Sequence, residues 1–451
     1  MKSEVISLGF IRVLLFSIKP MLNKKLLFIA VIVVIGMGCR SVTSILETDR
    51  LRNFPAEISV GDIVHVATGE KITFSQLADS LDGTRIVYVG EVHSNRESHE
   101  LELQVLKEFY KRNGDNIAVG LEMFKRPHQD VLDKWTGGEI SEKDLLFSTD
   151  WDDEWGYDYN HYKGIMDFIR DNKIPVVALN INRKFQKKIS RKGIEGLSEE
   201  EKKTLPEIDT TDVYHRRYLA RIMKGHGDAD ISEAFERFYL IQCVWEDVMA
   251  DSISKYLSSP EGKDRKMLVF IGGGHVIYHF GVPKRVYRSN HLPYLTITTY
   301  ELRDLKPEGD HPLFASDIPL QPADYVNVVE LDKSKEPKVM LGVVIRKAYE
   351  EKEEEEKEKE EQEKQDKKVE EQKQKVAIES VREDSPAGKA GLKAGDIILS
   401  MDDESVDKVF DVIYHVRQKK AGDTCRIEIL RGEEKMLVEV TFFEAKGHGE
   451  K

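Results

Sequence analysis

Twice in this chain a glycine is followed three residues later by a histidine at the end of an apolar run. Ile86-Val87-Tyr88-Val89 leads into Gly90-Glu91-Val92-His93, and Met267-Leu268-Val269-Phe270-Ile271 leads into Gly272-Gly273-Gly274-His275. A third run, Ile117–Leu121, delivers Glu122 to the same kind of position. If the three runs are neighbouring strands, their ends form one rim, and glycine there lets backbone and imidazole approach a ligand closely. Two histidines with one or two glutamates can hold a divalent metal, with His93, Glu122 and His275 as ligands, or serve as the acid and base of a hydrolase through Glu91, His93, Glu122 and His275. The plainer alternative is that the glutamates pair with arginine or lysine and the histidines are satisfied donors. Around this set, His99 precedes the helical stripe Leu101, Val105, Phe109, where a helix N-terminus favours an anionic ligand. Asn180 and Arg183, just past a further run, are rim candidates, Arg183 as a carboxylate clamp. Asp247 is expected to orient one of the histidines from a long helix.

The elements that must position these residues are legible as alternating short apolar runs and amphipathic stretches between about Leu51 and Asp324. The runs at 85–89, 117–121, 174–179, 267–271 and 294–297 are rich in β-branched residues, as strands buried on both faces are. Leu101, Val105 and Phe109 stop before Gly114, and Phe235, Tyr239, Val248 and Ile253 stripe a longer helix. The pattern predicts an α/β fold, a mostly parallel central sheet flanked by helices. A small β-rich domain is expected over residues 336–445. It is interrupted at 350–375 by 13 acids and 8 bases, with Val369 as the one apolar residue. Several Glu–Lys pairs at i,i+4 and the absence of an apolar seam make that insert a solvated helix or a disordered segment.

Composition removes some functions. The chain has 451 residues and a net charge of −13, so nothing neutralises a phosphate backbone and nucleic-acid binding is excluded as the main activity. Its three cysteines, Cys39, Cys243 and Cys425, show no CxxC spacing, which excludes a thiolate zinc cluster. Residues 1–39 read as targeting: Lys24-Lys25 precede an uncharged run from Leu26 to Met37 that closes on Gly36-Met37-Gly38-Cys39, with Met21 a plausible true start. The end of that run resembles a bacterial lipobox, which implies lipid attachment at Cys39. With Arg40 following, the expectation is an outer-membrane lipoprotein of the bacterial cell envelope that faces the periplasm.

Two resemblances complete the reading. Asp384-Ser385-Pro386-Ala387-Gly388-Lys389-Ala390-Gly391-Leu392-Lys393-Ala394-Gly395-Asp396-Ile397-Ile398 resembles the PDZ domains of HtrA-type proteases. That resemblance implies a peptide-binding loop at Leu341, Gly342 and Val343, strand addition by C-terminal peptides of other proteins, and a second wall drawn from Val409, Ile413 and Val416. It also puts the charged insert between the first two strands of the domain.

The first domain, in turn, is similar to the ChaN-type haem-binding lipoproteins, themselves related to TraB, Tiki and the erythromycin esterases. The matching strings are Val89-Gly90-Glu91-Val92-His93 with His99, Gly120-Leu121-Glu122-Met123-Phe124, Ala178-Leu179-Asn180-Ile181-Asn182-Arg183, and Gly272-Gly273-Gly274-His275 with Gly281-Val282-Pro283. The resemblance implies haem as cofactor, iron held by tyrosine and histidine, and haems paired in a homodimer. His93, His99, His275, Tyr278 and Arg183 are then the haem-binding candidates, with Tyr157, Tyr159 and Tyr162 as further tyrosines. Three functions remain open: haem or iron handling in the envelope, a metal-dependent hydrolase or protease, and a PDZ adaptor on an inert scaffold.

Overall fold

The computed structural model describes residues 57–224, 231–302, 318, 320–331, 339–348 and 375–444. The leader, Cys39 and almost all of the charged insert lie outside the described residues. The chain divides into two compact units, the larger ending at Leu331 and the smaller holding the residues from Asp332 onward together with Ile140–Trp151.

In the larger unit eight strands form one sheet. They are β1 (Ile63–His65), β2 (Glu70–Ile72), β3 (Ile86–Glu91), β4 (Ile117–Lys125), β5 (Val176–Asn180), β6 (Lys266–Gly272), β7 (Tyr294–Leu302) and β8 (Tyr325–Glu330). Their order is β2-β1-β8-β7-β3-β6-β4-β5. The block from β8 to β5 is parallel throughout, and β1 and β2 close one edge antiparallel. All five expected strands are present. β3 and β4 are buried along their whole length, the condition that makes their sequences continuous apolar runs rather than alternating ones. The expected boundary at Asp324 falls short, because β8 lies beyond it and pairs with β7.

The helix Arg96–Asn113 starts on the Asn95 side chain, which accepts from Ser98 N–H, and stops at Gly114 with φ of 57°. The helix Ile231–Ser258 packs Met249, Ala250, Ile253 and Leu257 against Ile86, Tyr88, Val269 and Ile271 of the sheet. Of the expected stripe only Ile253 packs here; Val248 joins Ile181 and Ile189 in a second cluster, and Phe235 and Tyr239 join Leu219 in a third. Among the described residues no helix is long and apolar enough to cross a membrane.

The smaller unit is an antiparallel sheet of β9 (Val343–Ala348), β10 (Lys375–Val381), β11 (Ile397–Met401), β12 (Glu404–Ser405), β13 (Thr424–Arg431) and β14 (Glu434–Thr441), ordered β14-β13-β11-β10-β9 with β12 on β11. Ala348 stands opposite Lys375, so the charged insert is the connection of a β9–β10 pair, as its sequence position suggests. Leu341, Ile378, Leu392, Ile398, Val412, Ile427 and Phe442 form a core belonging to this unit alone.

Candidate functional site

Three adjacent strands, β3, β6 and β4, end at one rim, and each delivers a residue singled out above. β3 carries Glu91 at its last position, and the turn after it carries His93. The Glu91 carboxylate is buried, with Oε1 2.5 Å from His93 Nδ1 and accepting from the Tyr162 hydroxyl at 2.9 Å. β4 pairs with β6 as far as Leu121, and its register against β5 shifts after that residue. Glu122 therefore leaves the ladder and turns its Oε2 onto the Gly272 N–H at 2.6 Å. Gly272 is required here: a Cβ would sit 2.8 Å from His93 Cε1 and 2.9 Å from its Nε2. Gly90 meets Gly273 in the same way, since a Cβ on Gly90 would lie 2.9 Å from the Gly273 Cα.

The groups continue as an alternating series. His275 Nε2 lies 3.6 Å from Glu122 Oε1, and its Nδ1 lies 3.2 Å from Glu246 Oε1. Glu246 also faces His215 at 3.3 Å and is held by Arg285. Burial works to raise the Glu91 carboxyl, but the His93 hydrogen bond and the charges of His99 and His93 outweigh it and hold its pKa at about 2. Burial lowers His93, whereas its bond to Glu91 and the charges of Glu122 and Glu91 leave it raised on balance. His275 is raised in the same manner by Glu122 and Glu246, against its burial.

The structure thus brings together Glu91, His93, Glu122 and His275. His93 is the outermost: its side chain is 27% exposed, with the Trp155 and Tyr157 rings each centred 4.8 Å away. Lys125, at the end of β4, lies over Trp155 at 5.1 Å and faces Glu122, Glu154 and Arg183. Arg183 opens the helix Arg183–Lys192 and lines a cavity of about 1210 Å³ with Arg126, Lys184, Lys187, Lys188 and Arg191.

Four expectations need correction. Tyr278 does not stand at the rim; it is buried at 1% in a cluster with Tyr218, Phe280 and Ile318, so a porphyrin would have to displace them to reach it. Tyr159 and Tyr162 are equally buried, which leaves Tyr157, 39% exposed, as the rim tyrosine of the four. His99 is not open to a surface anion. The helix begins three residues earlier than His99, turning its ring inward against Glu91 and Glu102 with His161 stacked on it. Among the described residues Asp247 pairs with Arg285 and accepts from Asp209 N–H rather than orienting a histidine; the histidine partner is its neighbour Glu246. Finally, His93, Glu122 and His275 do not close around one point. The donor atoms that come within 4.8 Å of one another, among the described residues, belong to Glu91, His99 and Glu102.

In the smaller unit β9 is an edge strand, with no partner on its other side among the described residues. Before it, the Leu341 and Gly342 carbonyls accept from Ala387 and Arg382 N–H, pinning the loop, and Gly342 adopts φ of 81° against Ser385. On the helix Val409–Arg417, Val409 and Val416 pack on the core while Ile413 is 41% exposed.

Residues 77–286 match the family model described as haem-binding uptake, Tiki superfamily, ChaN, and residues 362–442 match the PDZ domain model. Among solved structures, ChaN of Campylobacter jejuni, described with cofacial haem binding, is 18% identical with a TM-score of 0.45, covering 59% of this chain and 95% of that one. The HtrA-type protease AlgW with a decapeptide is 20% identical with a TM-score of 0.19, covering 24% of this chain and 30% of that one. A probable periplasmic serine endoprotease, DegP-like, of Pseudomonas putida is 38% identical over 64 residues, 14% of this chain. The chloroplastic protein RETICULATA-RELATED 5 of Arabidopsis thaliana is 26% identical over 153 residues, 32% of this chain. The chain spans 13% and 20% of the length of these two curated relatives. It joins a ChaN-like domain, residues 77–286, to a PDZ domain, residues 362–442.

Proposed function

We propose that the protein binds haem at the rim of β3, β6 and β4 and captures the C-termini of other proteins at the edge of β9, working as a lipoprotein of the bacterial cell envelope. His93 carries the reading. Its Nδ1 is fixed by the buried Glu91, which settles the ring orientation and makes the other nitrogen a better donor, and its exposed edge opens between two aromatic rings. The residues fit the group: His93 and Tyr157 would hold the iron, and Lys125 and Arg183 would meet the propionates. Bound haem supplies a redox-active iron.

Haemin titrated into the protein should give a saturable Soret shift. His93→Ala should weaken binding at least tenfold, roughly 1.4 kcal/mol, and Tyr157→Phe should alter the spectrum, while Tyr278→Phe titrates as wild type. A flat titration, or a His93→Ala variant that binds as tightly as the parent, overturns the reading. For the second half, a peptide ending in a free apolar residue should bind more tightly than its amidated form, and Ile413→Ala should weaken it. Envelope anchoring through Cys39 predicts palmitate labelling that Cys39→Ala abolishes.

A further inference from the structure

Beneath the rim lies a cluster that a surface ligand does not explain. Glu91, His99 and Glu102 are buried, the last with no exposed surface. β3 supplies the first, and the helix Arg96–Asn113 supplies the other two from positions three apart on one face. His99 Nε2 lies 3.1 Å from the His93 carbonyl oxygen, which can only accept, so Nε2 holds a proton and, when the ring is neutral, Nδ1 presents a lone pair. It presents that lone pair to two carboxylates, at 2.8 Å from Glu102 Oε2 and 3.3 Å from Glu91 Oε2. Glu91 Oε2 and Glu102 Oε1 accept from no backbone N–H and no other side-chain donor among the described residues, and the two carboxyls face each other. Among the described residues no lysine or arginine is paired with any of the three. Two carboxylates this close in a dry interior ionise together only with a positive charge between them; without one, burial and Glu91 push the Glu102 carboxyl well up, and a bound cation would take the place of that proton.

We propose that Glu91, His99 and Glu102 form a site for one divalent first-row cation, one layer below the haem-binding rim. Two carboxylates and one imidazole suit Zn²⁺ or Mn²⁺, whereas a soft ion would need sulfur. The cation would take Glu91 Oε2 and Glu102 Oε1 and leave Glu91 Oε1 to His93 and Tyr162, so it would also brace the carboxylate that orients His93. The site is distinct from the set expected from sequence, sharing none of His93, Glu122 or His275.

The test uses the full chain, stripped with a chelator and titrated with Zn²⁺ alone. One equivalent should bind and raise the melting temperature by several degrees, Glu102→Gln should lose at least tenfold in affinity, and Glu122→Gln should keep the parent value. Zinc-edge X-ray absorption of the wild-type protein should show a single imidazole among light-atom ligands, which decides the matter if Glu102→Gln does not fold. No uptake, uptake that survives Glu102→Gln, loss with Glu122→Gln instead, or two imidazoles in the absorption spectrum would each overturn the site. Haemin titration is a separate readout, so failure of zinc binding leaves the haem reading standing and the reverse holds.

Discussion

Lys125 places an ammonium where almost no water reaches it. The residue is 4% exposed, lies over Trp155 and forms no ion pair with a carboxylate among the described residues. Burial lowers its pKa from 10.5 to about 8, although Glu122 and Glu154 pull it back up. The unfolded chain therefore binds a proton that the folded one releases between pH 8 and 10.5, so stability rises with pH across that window and the full penalty applies below it. At most about 3 kcal/mol is involved. Lys125→Met should raise the melting temperature at pH 7, an advantage that fades as pH approaches 10.5, and should weaken haem binding. A variant that melts as the wild type does at pH 7 would mean that Trp155 and the nearby carboxylates already compensate the charge. At this scale the sequence was informative but off by small steps. Glu91, His93, Glu122 and His275 were legible because glycine and a buried run mark a strand end. Glu246 was missed in favour of Asp247, because neighbouring residues on a helix face directions 100° apart and only packing decides which faces inward. Tyr278 failed for a similar reason, since the turn after His275 carries it through φ of 55° and into the interior.

Strands and their ends make the next level. Gly272→Ala tests the rim geometry without touching the core: the added methyl would strike the His93 ring, which should move. Haem affinity should fall at least tenfold while the cooperative melt is retained. At the other domain, Gly342→Ala meets both a left-handed φ and a Cβ 2.1 Å from that of Ser385. It should abolish peptide binding and destabilise the PDZ fold by on the order of 2 kcal/mol or more, read by urea denaturation. The parallel strands were legible because burial on both faces writes them as unbroken apolar runs. β1 and β2 were not, being three residues each, with β2 largely exposed. β8, Tyr325-Val326-Asn327-Val328-Val329-Glu330, carries such a run but begins at the residue after the expected boundary, so all six of its residues fall outside it.

For the whole molecule, the two units have separate cores, and the PDZ core is complete without any residue of the larger sheet. A fragment running from Val339 to Glu444, with a short Gly/Ser turn in place of the insert between Ala348 and Lys375, should melt cooperatively on its own. Its affinity for a free C-terminus should stay within a few-fold of the full chain's, because loop length enters closure only logarithmically, about 0.6 kcal/mol per doubling. Loss of binding in that fragment would assign the charged segment to the recognition surface. The two-domain organisation was readable from composition, since a run of 13 acids and 8 bases cannot enter a core.

The open side of β9 has a second consequence, for behaviour in concentrated solution. A row of unpaired backbone groups that accepts a peptide will equally accept the same strand of another molecule, and Val344, 54% exposed, would favour that contact. Arg346 is exposed on the same strand. When two copies of β9 approach edge to edge, cation is brought toward cation, whereas an uncharged peptide end meets no such opposition. Arg346 thus opposes self-pairing while leaving the edge open to a foreign chain, and its replacement by valine should make the domain scatter light as its concentration rises.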